Sequence, residues 1–172
     1  MSGVAKNNAT LPKVLVVAIG NPDRADDGVG ALVAAELAGR LPPDVALTTR
    51  SGDILSLMED WAGFDAVVCI DAVAPMETPG RVFRIDAGAG ELPHDLSFAS
   101  SHAFGLAEAI ALADALKSLP GTVIVYAVEG ASFDGGAEMT PEVTAAAAEV
   151  ADLVVAEVGR LRRHKGKAMS NA

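Results

Sequence analysis

The apolar run KVLVVAI (about residues 13–19) leads directly into the polar segment GNPDRADDGVG (20–30), and helix-like apolar spacing follows over about 28–40. A short continuous apolar run that ends at a turn is typical of a buried strand, so the pattern predicts strand, tight turn and helix. Two adjacent carboxylates, Asp26 and Asp27, fall where the helix should begin. Open α/β sheets bind their ligands at such a turn, after the carboxyl end of a parallel strand. The segment is therefore the first candidate for a functional site.

Strand-like and helix-like segments continue to alternate along the chain, which predicts a mostly parallel sheet. The later predicted strands are VALTTR, DAVVCIDAV, GRVFRIDA and TVIVYAV, and the later predicted helices lie in GDILSLMEDWAG, in SSHAFGLAEAIALADALKSLPG and from Pro141 to about residue 161. DAVVCIDAV should be central, because a parallel strand covered on both faces is apolar throughout. GRVFRIDA alternates polar and apolar residues and should lie nearer an edge. A doubly wound strand order such as 2-1-3-4-5 is consistent with this pattern.

The length of 172 residues suits a single domain, which we place at residues 12–161 between a flexible N-terminus (1–11) and a flexible basic tail (162–172). The net charge is −10 and all acidic residues precede residue 158, so the acidic body should repel nucleic acid. No apolar run is long enough for a membrane span or typical of a signal peptide. The single cysteine, Cys69, excludes an intramolecular disulfide. These features predict a cytoplasmic protein without nucleic-acid or membrane partners.

Three side chains from distant parts of the chain are predicted to meet at one edge of this sheet. They are Asp27, Asp71 at the end of the third strand, and His102 in the first turn of the predicted third helix. The first and third strands are neighbours in the predicted order, so Asp27 and Asp71 should leave the sheet side by side. Two carboxylates and an imidazole suit a borderline divalent metal such as nickel or zinc, with coordination positions left open. The positive end of a helix dipole should keep Asp27 ionised and His102 neutral.

Ordinary structural roles remain open for the same residues. An acid before a helix is most often an N-cap, which applies to Asp26 and Asp27 taken singly. A carboxylate at the end of a buried strand is harder to explain in this way, because it must be paired, hydrogen-bonded or functional. Cys69 lies among valines and an isoleucine and should be an inert core residue. A serine hydrolase that uses Ser100 or Ser101, the predicted caps of the third helix, is disfavoured because the pattern G-x-S-x-G is absent.

The run VVAIGNPDRADDGVG, followed by IDAVAP and then SSHAFGLAE, resembles the hydrogenase maturation endopeptidases, which remove a C-terminal peptide from the large subunit of nickel–iron hydrogenases. The resemblance covers about residues 13–160, including MTPEV at the start of the last helix. It implies a three-layer α/β fold with a twisted, mixed and mostly parallel five-stranded sheet and helices on both faces. One departure is Ala18, where the family often has Gly, whereas Gly20 and Asn21 match the family pattern.

The resemblance also implies a metal-contacting trio, here Asp27, Asp71 and His102, that recognises nickel already inserted in the substrate. Nickel is then supplied by the substrate and is not a permanent cofactor. The expected partner is a hydrogenase large-subunit precursor, cut by an aspartyl-type endopeptidase activity in which Asp27 or Asp71 activates water. The expected supporting residues of the turn are Gly20, Asn21, Asp26 and Gly28.

The alternative function is a non-catalytic module that binds a metalloenzyme assembly intermediate in a nickel-dependent way and escorts it. Recognition and cleavage would use the same residues, so the sequence leaves both functions open. Substrate contacts are expected in the loops at residues 75–80, 88–100 and 129–138, where glycines allow close approach of the backbone. A monomer is expected for a domain that docks on a large partner.

Overall fold

A computed structural model of the chain describes residues 10–89 and 105–163. In chain order its elements are β1 (Val14–Ile19), a 3-10 turn (Ala25–Gly28), α1 (Val29–Leu37), β2 (Ala46–Arg50), α2 (Ile54–Trp61), β3 (Ala66–Val73), β4 (Val82–Asp86), α3 (Leu106–Ala115), β5 (Thr122–Glu129) and α4 (Pro141–Arg163). These strands form a sheet in the order β2-β1-β3-β5-β4, and every neighbouring pair is parallel except β5 and β4. The predicted mixed, mostly parallel five-stranded sheet is confirmed.

Helices cover both faces of the sheet, as predicted. Residues of α1 and α4 pack on one face, and residues of α2 and α3 pack on the other. Successive side chains of a strand point to opposite faces, so Val68 of β3 faces the first layer and Cys69 faces the second. Both β1 and β3 are buried along their whole length, which explains their continuous apolar sequence. Cys69 is the buried core residue that the sequence predicts.

The predicted strand order is wrong at one edge of the sheet. β5, rather than β4, lies beside β3, and β4 pairs antiparallel with β5 at the edge. Only residues 74–81 connect β3 to β4. A parallel neighbour needs a crossover of about a dozen residues or more, usually with a helix, so this link is too short to place β4 parallel to β3. The edge position predicted for the fourth strand is nevertheless confirmed.

The start of α1 differs from the prediction. A 3-10 turn precedes the α-helix, so Asp26 and Asp27 lie in that turn and neither side chain caps α1. α3 begins at Leu106 with Gly105 as its N-cap, and Glu108 Oε2 accepts the Gly105 N–H at 2.9 Å. The predicted caps of that helix, Ser100 and Ser101, lie outside the described residues.

α4 begins at Pro141 as predicted and continues to Arg163, two residues beyond the predicted end. Arg162 Nη2 lies 2.8 Å from Asp44 Oδ1, so this residue pairs with the body of the domain although we assigned it to the flexible tail. Of the helices within residues 10–89 and 105–163, none is long and apolar enough to cross a membrane.

The last glycine of the segment 20–30 sets the distance between α1 and β1. A Cβ atom on Gly30 would lie 2.5 Å from the carbonyl oxygen of Ile19 and 2.9 Å from its nitrogen. Both are backbone atoms of a buried strand, which cannot move aside as a flexible side chain can. Glycine at this position therefore allows the helix to pack closely on the strand.

We predict that Gly30→Ala lowers the free energy of unfolding by about 1–3 kcal/mol, because the added methyl group overpacks the contact between helix and strand. Gly135→Ala is the matched control, since a Cβ there has no heavy atom within 4 Å. Denaturant unfolding of both variants measures the difference. Equal stabilities would show that α1 does not depend on this close approach.

Candidate active site

Asp27 lies in the turn after β1 and is only 2% exposed. Its Oδ2 accepts the Asn21 N–H at 3.0 Å, and Nη1 of Arg24 is 3.8 Å from the same oxygen. Gly20 permits this turn, because its φ is +137° and a Cβ there would lie 2.0 Å from the carbonyl oxygen of Asp27. Gly28 packs against Pro22, whose Cα would be 3.0 Å from a Cβ on Gly28. The turn thus fixes the position of the Asp27 carboxylate.

Asp71 lies near the carboxyl end of β3 and is 1% exposed. Its Oδ1 accepts the N–H of Ala72 at 2.8 Å. β1 and β3 are adjacent parallel strands, with Ala18 opposite Ile70, so Asp27 and Asp71 leave the sheet at the same edge. The structure therefore brings these two predicted site residues to the switch point between neighbouring strands.

Each of these two acids keeps one buried oxygen without a hydrogen bond. Within the described residues, neither Oδ1 of Asp27 nor Oδ2 of Asp71 has a partner. A buried polar atom without a partner costs about 1–3 kcal/mol, and more when it is charged. Such an atom needs an explanation, and contact with a ligand is one, so both oxygens are candidates for ligand binding.

Burial raises the pKa of both carboxyls. For Asp27 this effect outweighs the Asn21 N–H and the Arg24 charge, which lower the pKa. Burial places the pKa of Asp71 well above its usual range, although the Ala72 N–H lowers it, and the nearby charge of Asp27 raises it further. The shift at Asp27 is opposite to the direction expected from a helix N-terminus. When ionised, such carboxylates are stronger bases than exposed ones.

Asp26 has the opposite surroundings, although it is adjacent to Asp27 and completely buried. Its Oδ2 accepts the N–H groups of Ala131 and Ser132 at 2.7 and 2.9 Å and the Thr140 hydroxyl at 2.7 Å, and its Oδ1 accepts the Thr140 N–H at 2.7 Å. Burial alone would raise the pKa of Asp26, but the hydrogen bonds from Ser132, Ala131 and Thr140 together lower it. This carboxylate holds the loop between β5 and α4 against the turn after β1.

Glu129 is a buried acid that the sequence analysis missed as a candidate. It is the last residue of β5 and is 1% exposed. Its Oε1 accepts the N–H groups of Met76 and Thr78 at 2.8 and 2.7 Å, whereas its Oε2 has no partner among the described residues. An acid that ends the apolar strand TVIVYAV gives the same signal that pointed to Asp71, but we assigned Glu129 to the following Gly-rich loop.

His102, the third member of the predicted trio, lies outside the described residues, as do residues 90–100 of the loop expected to contact the substrate. Among the described residues, no group of three or more His, Cys, Asp or Glu side chains is arranged to hold a metal ion.

Burial, with the charge of Asp71, raises the pKa of the Cys69 thiol, which keeps it protonated and unreactive. The described part of the site therefore consists of carboxylates.

The fold and the site together define an α/β domain of the ligand-binding or catalytic type. Buried acids lie at the carboxyl ends of neighbouring strands, and each has one hydrogen-bonded oxygen and one oxygen without a partner among the described residues. The family model HycI, described as hydrogenase maturation protease, matches residues 32–157. The chain belongs to this hydrogenase maturation protease family. The matched residues include Asp71 and Glu129 and begin after Asp27. No curated protein matches the chain significantly.

Solved structures share the fold. The nickel–iron hydrogenase maturation protease HybD from Thermococcus kodakarensis is 23% identical, with 85% of this chain and 99% of that chain covered at a TM-score of 0.68. The hydrogenase maturating endopeptidase HybD from E. coli is 22% identical over 86% and 93% of the two chains, with a TM-score of 0.71. A hydrogenase 2 maturation peptidase from a Thaumarchaeota archaeon is 25% identical over 86% and 98%, with a TM-score of 0.63.

The two adjacent acids give a matched test of their different surroundings. We predict that Asp26→Asn lowers the free energy of unfolding at pH 7 by about 2 kcal/mol or more, because an amide cannot accept all four hydrogen bonds. Asp27→Asn should change it by less than about 1 kcal/mol, since the amide oxygen can still accept the Asn21 N–H and a buried charge is removed. Denaturant unfolding measures both variants.

The sign of the pH dependence follows from the lowered pKa of Asp26. A lowered pKa in the folded protein stabilises it above the unfolded value of about 3.9, and this stabilisation is lost as the pH falls through the folded pKa. The difference in the free energy of unfolding between wild type and Asp26→Asn should therefore shrink below about pH 4. A larger loss of stability for Asp27→Asn than for Asp26→Asn would contradict the assignment of Asp26 as the residue that holds the loop in place.

Proposed function

We propose that this chain is an endopeptidase that removes a C-terminal peptide from the large-subunit precursor of a nickel–iron hydrogenase. Membership in the maturation protease family supports the hydrolase class and the kind of substrate. The observation that carries the assignment of the site is a pair of buried oxygens, Asp27 Oδ1 and Asp71 Oδ2, for which residues 10–89 and 105–163 provide no hydrogen-bond partner. These two carboxylate oxygens can act as ligands for a metal ion carried by the substrate.

The proposed role of the pair is to recognise nickel that arrives with the precursor. A divalent cation would supply the electrostatic partner that both free oxygens lack, and it would stabilise their ionised forms against the effect of burial. Carboxylate oxygens together with an imidazole are acceptable nickel ligands, and we assign the imidazole to His102. Few protein ligands leave coordination positions for groups of the substrate, so nickel is cargo in this proposal.

Hydrolysis then requires a base for the attacking water. Either Asp27 or Asp71 removes a proton as the water oxygen bonds to the carbonyl carbon of the scissile peptide. The same carboxyl returns the proton to the leaving nitrogen when the carbon–nitrogen bond breaks. A bound divalent ion supplies Lewis-acid chemistry or a fixed anchor for the substrate. Burial raises the pKa of both carboxyls, which makes them stronger bases than exposed aspartates.

We predict that the purified protein shortens a nickel-loaded large-subunit precursor by a C-terminal peptide, as measured by mass spectrometry. Asp27→Asn and Asp71→Asn should each slow cleavage by about 100-fold or more, the usual effect of losing a general base. Asp152→Asn is the control, because Asp152 forms an exposed ion pair with Arg40 on the surface of the domain. This variant should cleave at the wild-type rate. Cleavage by Asp27→Asn at that rate would remove Asp27 from the mechanism.

The same assay distinguishes the endopeptidase from the non-catalytic escort module. Stable co-purification of wild type with the loaded precursor, without loss of mass, would support the escort module and overturn the endopeptidase. Nickel-free precursor should remain uncut, and rapid cleavage without nickel would contradict nickel recognition. His102→Gln tests the third ligand, and we expect it to weaken binding of the loaded precursor but not of the nickel-free form.

A further inference from the structure

Glu129 is a third buried acid with one oxygen that has no partner among the described residues, and it lies on the strand next to that of Asp71. β1, β3 and β5 are consecutive in the sheet, and Asp27 follows β1, Asp71 lies in β3 and Glu129 ends β5. Cys69 and Ala127 belong to the core on the α2 and α3 face, so Asp71 and Glu129, two positions further along each strand, point to that same face. Asp71 pairs with Ala127, which places Glu129 diagonally ahead of Asp71 on the adjacent strand.

One oxygen of Glu129 is fully committed to the scaffold. Oε1 accepts the N–H groups of Met76 and Thr78, and the Glu129 carbonyl oxygen accepts the Gly80 N–H at 2.8 Å. These bonds hold the loop between β3 and β4 against β5, with the Met76 side chain 42% exposed. The loop is also fixed at its far end, because a Cβ on Gly80 would lie 2.6 Å from the carbonyl oxygen of Glu142.

The other oxygen, Oε2, is buried and has no partner in the described part of the chain. The loop needs only Oε1, so ordering of the loop does not explain why a second buried oxygen is kept without a donor. Buried acceptors of this kind are costly unless a donor reaches them. A molecule that binds at this edge can supply such a donor.

We propose that Glu129 is a substrate-binding residue whose Oε2 accepts an N–H group of the precursor segment bound beside Asp71. This inference rests on the proposed endopeptidase function. Strands lie about 4.8 Å apart and rise about 3.3 Å per residue, so the diagonal between the two acids is about 8 Å. That distance corresponds to two or three residues of extended peptide, so Glu129 binds the substrate near the scissile bond without taking part in the chemistry.

Glu129→Gln is the first test, because glutamine keeps an oxygen for Met76 and Thr78 and replaces the free oxygen with a donor. We expect KM for a nickel-loaded precursor to rise at least tenfold, with a smaller change in kcat. Amide hydrogen exchange at Met76 and Thr78 should stay as slow as in wild type, which shows that the loop is retained. Glu129→Asp, which keeps the charge but withdraws it by one methylene group, should also raise KM.

Glu157→Gln is the matched control, since Glu157 is equally buried but binds Arg84 and Arg160 on the α4 side of the sheet. It should alter thermal stability and leave KM unchanged. If wild type cleaves the precursor and both Glu129 variants keep the wild-type KM, Glu129 only orders the loop and the inference is wrong. If wild type neither binds nor cleaves the precursor, the proposed function fails and this inference fails with it.

Discussion

The four hydrogen bonds to the Asp26 carboxylate fix the geometry on which the candidate site depends. They join the turn after β1 to the loop before α4, and two backbone bonds, from Asp26 N to Ser132 O and from Gly136 N to Asp23 O, reinforce the same junction. Hydrogen bonds to a charged acceptor are stronger than neutral ones, so one buried charge orders both segments. Asp27 is covalently next to this anchor, and its own backbone is therefore fixed before any ligand binds.

The buried acids differ in how completely they are hydrogen-bonded, and this difference separates scaffold from site. Both oxygens of Asp26 are bonded, and the pKa is lowered. Asp27 and Asp71 each use one oxygen for the scaffold, whereas the other has no partner in the part of the chain that the structure describes, and burial raises their pKa values. A buried oxygen without a hydrogen bond reduces stability, and local costs of this kind are typical of functional sites.

The parts of the fold that the sequence predicted correctly depend on local patterns. β1 and β3 are continuous apolar runs because both faces are covered, and that pattern placed Asp71 at a strand end. The predicted order of β4 and β5 is wrong because strand order depends on the length of the link after β3, which the apolar pattern of the strands does not contain. The partners of Asp26 lie more than a hundred positions away in sequence, so no local pattern distinguishes its role from that of Asp27. The sequence pattern does not identify Glu129 as a site residue, because the predicted strand TVIVYAV stops one residue before it.

The arrangement of acids across the strand ends also constrains how a precursor can bind. Asp27, Asp71 and Glu129 come from β1, β3 and β5, which are consecutive strands, so the row runs across the strands rather than along them. Two strand spacings amount to about 10 Å, or three residues of extended chain. A peptide that contacts nickel beside Asp27 and Asp71 and donates an N–H to Glu129 must therefore cross the sheet edge. Met76, which is exposed in the loop that Glu129 holds, is then a candidate contact for such a peptide.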